Sequence, residues 1–355
     1  MGTFGTIVIA ILVFGFLIFI HEFGHYITAR IFHVTINEFS IGMGPRLFHF
    51  DSQKTGIRYS IALFPIGGFV AMAGEDGKPA EPGAPEDPNT FDKKPAWQRF
   101  IITAAGAFVN IVAGFIAMIV LTSIINVGDT TVGEFVSKSE TGYAISSSES
   151  GLMVGDKIIE VDGKKVKILD ELSYEIMRRG CEPLDITVER KGNVIVIPDV
   201  IFPSIDQDGQ TFGAMDFKVY REEKSLGTVL SYSFHKSALI VRMCWESIYD
   251  LLTGRYTFAA VSGPVGISSA IGDAAREGAS SLLYVVTLIS INLGVMNLLP
   301  IPALDGGRLI TILFEMVTRK RVPPRIEGMI NAVGLALLLG LSFVIMIKDI
   351  IQLVV

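Results

Sequence analysis

An uncharged run from Met1 to Ile20 leads directly into His21-Glu22-Phe23-Gly24-His25, and no other feature limits the possible folds of this chain as strongly. The run is long enough to cross the hydrocarbon core of a bilayer as a helix. Backbone polar groups in lipid must be satisfied internally, so the segment cannot cross as an open strand. On a helix, residues four apart share a face. His21 and His25 can therefore present two imidazoles to one metal, with Glu22 beside the water that such a metal activates. This is the H-E-x-x-H geometry of metal-assisted hydrolysis. Three polar groups left in lipid to no purpose would be costly.

Composition agrees with a membrane chain: 50% of residues are hydrophobic and only 19% charged. Net charge is −6 without a long basic block, which argues against nucleic acid as a partner. Cys181 and Cys244 are far apart and form no C-x-x-C, so neither a cysteine metal site nor a disulfide framework is expected. Met1 to Thr6 carries no Lys or Arg, and no small-residue cleavage site follows the apolar run. The first helix is therefore expected to stay rather than be removed as a signal.

The expected fold class is a polytopic α-helical membrane protein with four transmembrane helices, a re-entrant β-hairpin region and an inserted extracytoplasmic α+β domain. Four uncharged runs could span: Met1 to Ile20, Phe100 to Gly128, Gly278 to Leu304 and Met329 to Ile347. They set the expected segments. Residues 1–33 hold the first span, and 34–97 a β region with a cytoplasmic loop. Residues 98–128 form the second span and 129–220 the inserted domain. An interfacial helix occupies 228–252, the third span with a Leu-Asp-Gly motif 278–318, and the fourth span 328–352.

Within 34–97, Arg58 to Phe64 reads as a strand, Pro65 to Gly68 as its turn, and Phe69 to Ala73 as the returning strand. Irregular backbone at membrane depth must line a cavity or be buried in protein, so this hairpin is expected to re-enter the membrane against the histidines. Glu75 to Pro95 has the composition of a surface loop without regular structure. In the inserted domain, strands are expected at Val132 to Val136, Lys157 to Val161, Leu184 to Arg190 and Val194 to Ile197, with a helix at Leu169 to Arg179. Residues 228–252 carry apolar residues on one stripe among several charges, the pattern of a helix lying in the interface.

A catalytic zinc usually takes a third protein ligand. The best candidate is Asp305, in Asn297-Leu298-Leu299-Pro300-Ile301-Pro302-Ala303-Leu304-Asp305-Gly306-Gly307. With four crossings, spans one and three run in the same direction, so the ends carrying His25 and Asp305 emerge on the same side. Basic residues such as Arg30, Arg46 and Arg58 after the first span, and Arg319, Lys320 and Arg321 after the third, place both loops in the cytoplasm. Both termini and the inserted domain are then expected outside it, in the periplasm or the extracytoplasmic space. His33, His49 and His235 fit no ligand spacing.

Taken together, the chain resembles the bacterial site-2 proteases, intramembrane zinc metalloproteases, closest to the RseP/RasP type. The likeness covers nearly the whole length. It rests on His21 to His25, Gly106 to Asn110 in the second span, an inserted domain that resembles a circularly permuted bacterial PDZ domain, and Asn297 to Gly307. It implies Zn2+ on His21, His25 and Asp305, with Glu22 as general base. It also implies substrate binding by Asn297, by Gly106 and Asn110, and by the Ile61 to Gly68 hairpin, in which Ile61, Leu63, Gly67 and Gly68 are the candidates. Larger members carry two PDZ domains, whereas Asp129 to Tyr220 has room for one.

The expected activity is hydrolysis of peptide bonds in the transmembrane segments of single-span proteins, anti-sigma factors or signal-peptide remnants, after trimming outside the membrane. A peptide chain end at the PDZ-like domain and the lipid bilayer are the other expected partners. Two alternatives share part of the pattern. A membrane protease of protein quality control would be expected to use a downstream glutamate on a helix as ligand, and a PDZ-bearing scaffold would need no metal.

Overall fold

The computed structural model describes residues 2–75, 87–136, 147–207, 210–255 and 261–354. The chain divides into two compact units, Met1–Ala117 with Ile240–Val355, and Met118–Leu239.

The first unit opens with helix α1, Thr3–Ile31, followed by the long strands β1, Ile36–Asp51, and β2, Arg58–Met72, and by helix α2, Ala96–Ile124. The strands are closed by a turn over residues 52–57, in which Gly56 adopts a positive φ of 71° and Ser52 and Ile57 are hydrogen-bonded through their backbones. The expected hairpin, in which 58–64 would pair with 69–73 across a turn at Pro65 to Gly68, does not form. Both halves of β2 pair with β1 instead: residues 38–41 lie opposite 68–71 on one side and 58–61 on the other, while 46–51 lie opposite 58–62.

Glycine makes this folding-back possible, since Gly42 and Gly44 both sit at φ 90° and Gly67 at 91°, conformations a side chain opposes. Glu38 clamps the kinked halves together. It is buried, it receives two hydrogen bonds from the Arg46 guanidinium, and Ser60 Oγ donates to it at 2.6 Å. Below the sheet, Ala29, Val34, Phe39, Val70, Phe91 and Ile102 join the end of α1 and the start of α2 to it in one apolar cluster. Phe91–Lys93 forms a short 3-10 turn inside the segment expected to lack regular structure, and residues 76–86 of that segment lie outside the described residues.

The second unit is a sheet in the order β10-β3-β4-β6-β7, with β5 paired to β4. Its strands are β3 at Gly128–Phe135, β4 at Lys157–Val161, β5 at Lys164–Lys165, β6 at Leu184–Arg190, β7 at Asn193–Val200 and β10 at Phe217–Arg221. The hairpin of β8, Ser204–Gln207, and β9, Gln210–Gly213, stands apart. Helix α3, Leu169–Arg179, buries Leu172 and Ile176 against Ile158, Val161, Ile186 and Val188. Each such aliphatic side chain contributes about 1.5–3 kcal/mol by leaving water. The sequence reading did not anticipate β10, although Phe217 and Val219 alternate with polar neighbours as a half-buried strand requires.

Helix α4, Leu226–Leu252, carries the stripe of Leu230, Phe234, Trp245 and Leu252 on its outer side, while Tyr232, Leu239 and Ile240 are buried. Phe234, Trp245 and Leu252 are exposed, while Ser233, Ser237 and Asp250 are buried. An outward apolar face of this kind suits a lipid interface.

The first unit resumes with α5, Pro264–Glu277, α6, Ala279–Asn297, α7, Asp305–Thr318, and α8, Pro324–Val354. Helix α5 went unforeseen because it is short and rich in small and polar residues. Its first turn is held by Asp349 of α8, whose Oδ2 accepts from the backbone N–H of Gly263 and Gly266 at 2.9 Å each. Four described helices are long and apolar enough to cross a membrane: Phe4–Ile31, Ala96–Ile124, Ala279–Asn297 and Arg325–Ile351. Their large apolar side chains, such as Phe4, Leu12, Phe108 and Leu337, are uncovered by protein, as a hydrocarbon solvent allows.

The third span differs from its expected extent. Helix α6 stops at Asn297, residues 298–304 are irregular, and Asp305 opens the separate helix α7. Pro300 and Pro302 supply no backbone donor and cannot continue a helix, and Ala303 takes φ 72°. Arg308 thus lies on helix α7, one turn beyond Asp305.

Candidate active site

His21 and His25 project from the same face of α1, as their spacing requires, and their Nε2 atoms lie 3.3 Å apart. Oδ2 of Asp305, at the start of α7, reaches 3.1 Å from Nε2 of His21 and 3.3 Å from Nε2 of His25. The chain returns Asp305 to this point by curling residues 298–304 back over α7. The curl is so tight that a Cβ at Gly306 would lie 2.0 Å from the carbonyl oxygen of Leu299, and one at Gly307 2.5 Å from that of Ile301.

Helix α2 closes the other side. A Cβ on Gly24 would lie 2.5 Å from the carbonyl oxygen of Ala105, and one on Gly106 would lie 2.3 Å from Nε2 of His25, so these glycines set the distance between the two helices. His25 Nδ1 then donates to the carbonyl oxygen of Ile102 at 2.8 Å, which leaves its Nε2 with a free lone pair.

This donor set fits a zinc ion. Oδ2 of Asp305 is buried and has no hydrogen-bond donor among the described residues. Ligand atoms about 2.0–2.1 Å from a tetrahedral ion stand roughly 3.3 Å from one another, close to the three separations observed. Three electron-rich atoms at this spacing repel unless a cation lies among them, and the trio is the candidate metal cluster among the described residues.

The cluster opens on a cavity of about 520 Å³, lined among others by Glu22, Gly68, Phe69, Met72, Glu75 and Arg308. Glu22 packs against the sheet, since a Cβ at Gly68 would approach its Cγ to 2.9 Å. The remaining expected residues separate. Gly68 lines the cavity, but Ile61 and Leu63 do not; they are half exposed on the outer part of the sheet, and Gly67 packs against Met43. Asn297 is the last residue of α6, half-buried and away from the cavity lining.

Asn110 is fully buried behind His21, with Nδ2 at 3.3 Å from Nδ1 of that ring. The sequence reading missed Glu75 and Arg308. Arg308 is ion-paired to Glu75, donates to its backbone oxygen at 3.0 Å and lies over the Phe91 ring. The placement of Arg308 at i+3 from Asp305 is the signal that could have drawn attention to it.

Two imidazoles, a carboxylate and an adjacent glutamate over a polar cavity, on a chain with four apolar helices, define a membrane metalloprotease. The chain matches Peptidase family M50 over residues 9–341 and belongs to that family, as a zinc metalloendopeptidase of site-2 type. It is 35% identical over 349 residues to a protein of Fusobacterium nucleatum named as a zinc metalloprotease, covering 97% of this chain and 98% of that one. It is 29% identical over 431 aligned positions to the zinc metalloprotease RasP of Geobacillus kaustophilus, with 98% of each chain covered. To the regulator of sigma-W protease RasP of Bacillus subtilis it is 27% identical over 424 positions, covering 97% of this chain and 98% of the relative.

Proposed function

We propose that this protein cleaves single-span membrane proteins within or beside their transmembrane segments, as a step of regulated intramembrane proteolysis. The observation that carries the reading is the shared cavity: the backbone of Gly68 to Met72 borders the same space as His21, His25, Asp305 and Glu22. Residues 58–61 are paired on both sides, whereas 68–72 are paired with β1 on one side. The strand that both borders the cavity and has a free side for a substrate is therefore Gly68 to Met72, whereas Ile61 and Leu63 of the expected substrate-binding hairpin do not line that space. A transmembrane helix must unwind before its carbonyls can be attacked, and adding it as a strand to this edge would satisfy the freed backbone groups.

His21, His25 and Asp305 would hold zinc, which supplies Lewis acidity toward a peptide carbonyl and toward water. Glu22 accepts the proton from the attacking water and passes it to the leaving amine. Exposed Met43, Leu47, Phe48 and Phe64 on the sheet support its re-entry into the bilayer. The α+β unit is assigned as a PDZ-like module outside the cytoplasm that admits trimmed chain ends, with both termini on its side of the inner membrane and the active site toward the cytoplasm. The relative named as a regulator of sigma-W supports anti-sigma factors as one substrate class, with signal-peptide remnants as the other.

In proteoliposomes, the parent should cut a tagged single-span substrate, while Glu22→Gln should lose the activity and keep its zinc. Cleavage by Glu22→Gln at the parent rate would reject the assignment. Membrane stubs accumulating in a Glu22→Gln strain would identify the substrate.

A further inference from the structure

We propose that Asn110 is a positioning residue for the metal centre: its amide oxygen accepts the Nδ1 hydrogen of His21 and so keeps Nε2 of that ring open as a ligand. The proposal rests on His21 being a zinc ligand. A neutral imidazole carries one hydrogen, so ligation through Nε2 requires that hydrogen on Nδ1. His25 meets the requirement through the carbonyl oxygen of Ile102. For His21 the group facing Nδ1 is the Asn110 amide, at 3.3 Å. Only the oxygen of an amide can accept, and Asn110 Oδ1 is buried without a hydrogen-bond partner. A half turn about the Cβ–Cγ bond exchanges Nδ2 and Oδ1, which gives the orphaned oxygen the Nδ1 hydrogen.

Two other roles fit less well. Asn110 is 0% exposed, so its side chain is closed to a substrate in the cavity. Its contribution to helix packing runs through the backbone, where Ser290 Oγ donates to its carbonyl oxygen at 2.8 Å, and so leaves the amide free for His21. Outer partners of this kind set the orientation and basicity of a ligating ring, and their loss weakens metal binding about 10–100-fold.

The test measures the zinc dissociation constant of the full-length protein in detergent by competition with a chelator of known affinity, together with the melting temperature of the metal-stripped protein. Asn110→Leu, which removes the acceptor at similar volume, should bind zinc about 10–100-fold more weakly. Asn110→Asp, which keeps an oxygen at the same place, should stay within about threefold of the parent, and Ser290→Ala should match it. Parent-like affinity in Asn110→Leu overturns the proposal. So does a loss in Asn110→Asp as large as in Asn110→Leu; if the leucine variant does not fold, Asn110→Ala removes the same acceptor and carries the same expected loss. His21→Ala serves as the control on the ligand assignment itself: parent-like affinity there would remove the basis of the proposal, whatever Asn110 does.

Discussion

Gly106→Ala adds one methyl group against both histidine rings of the site. The new Cβ would lie 2.3 Å from Nε2 of His25, 2.8 Å from its Cε1 and 2.9 Å from Cε1 of His21. Ordinary contact begins near 3.4 Å, so the His25 ring must give way by about 1.1 Å or the helices must part. The ring is not free to swing, because its Nδ1 is tied to Ile102 at 2.8 Å and the residue is buried. Overpacking of this kind costs roughly 1–3 kcal/mol, equivalent to about 5–150-fold in a binding constant. Metal–ligand distances tolerate only about ±0.2 Å, which puts the effect at the upper end. The zinc dissociation constant should rise about 100-fold, read by chelator competition on the purified protein, and cleavage should fall with it. Gly15→Ala is the control, since nothing lies within 4 Å of the Cβ it would introduce in α1, the helix that carries His25. A Gly106→Ala protein that binds zinc within about threefold of the parent would show that the helix contact does not hold the ligands.

Two further substitutions separate the parts of the site. Gly68→Ala would press a Cβ to 2.9 Å from both Cγ of Glu22 and the carbonyl oxygen of Ser40; kcat should drop about tenfold with full zinc occupancy, as expected of a displaced base, and a parallel loss of zinc would contradict this division of labour. Arg99→Met removes one of two guanidinium partners of Glu315, 2.6 Å away, and leaves that carboxylate to Arg321, at a cost of about 1.5–3 kcal/mol for the lost charged hydrogen bond, read as a lower melting temperature. Burial raises the Glu315 pKa, but hydrogen bonds from Arg99 and Arg321 outweigh it and hold the value below 4.5. The stabilisation is therefore complete above that pH and lost as the pH falls through the lower folded value. A melting temperature unchanged by Arg99→Met at neutral pH would refute the account.

The metal chemistry was legible in residue order because H-E-x-x-H is a local pattern: helical geometry alone puts His21 and His25 on one face. Asp305 was reachable by counting crossings, although the helix expected to carry it ends eight residues earlier, at Asn297. Strands β3, β4, β6 and β7 and helix α3 followed from alternation and 3.6-residue spacing, which depend on near neighbours only, whereas the short β5, β8, β9 and β10 did not. The edge of the first sheet did not. Glycine-rich residues 42–44 and 65–68 look like ordinary turns in sequence, but they let β1 and β2 double back, so that the cavity is bordered by Gly68 to Met72 and not by Ile61 to Phe64.

Sequence by itself therefore determined that this chain crosses membranes and carries a hydrolytic zinc centre, since hydropathy and i,i+4 spacing are properties of contiguous residues. Only tertiary structure decided that Asn110 is buried against the His21 ring, that Arg308 and Glu75 wall the cavity, and that one strand edge borders the same space as the histidines. Those relations join residues far apart in the chain, and close packing against backbone at Gly24, Gly306 and Gly307, and against the histidine rings at Gly106, sets them.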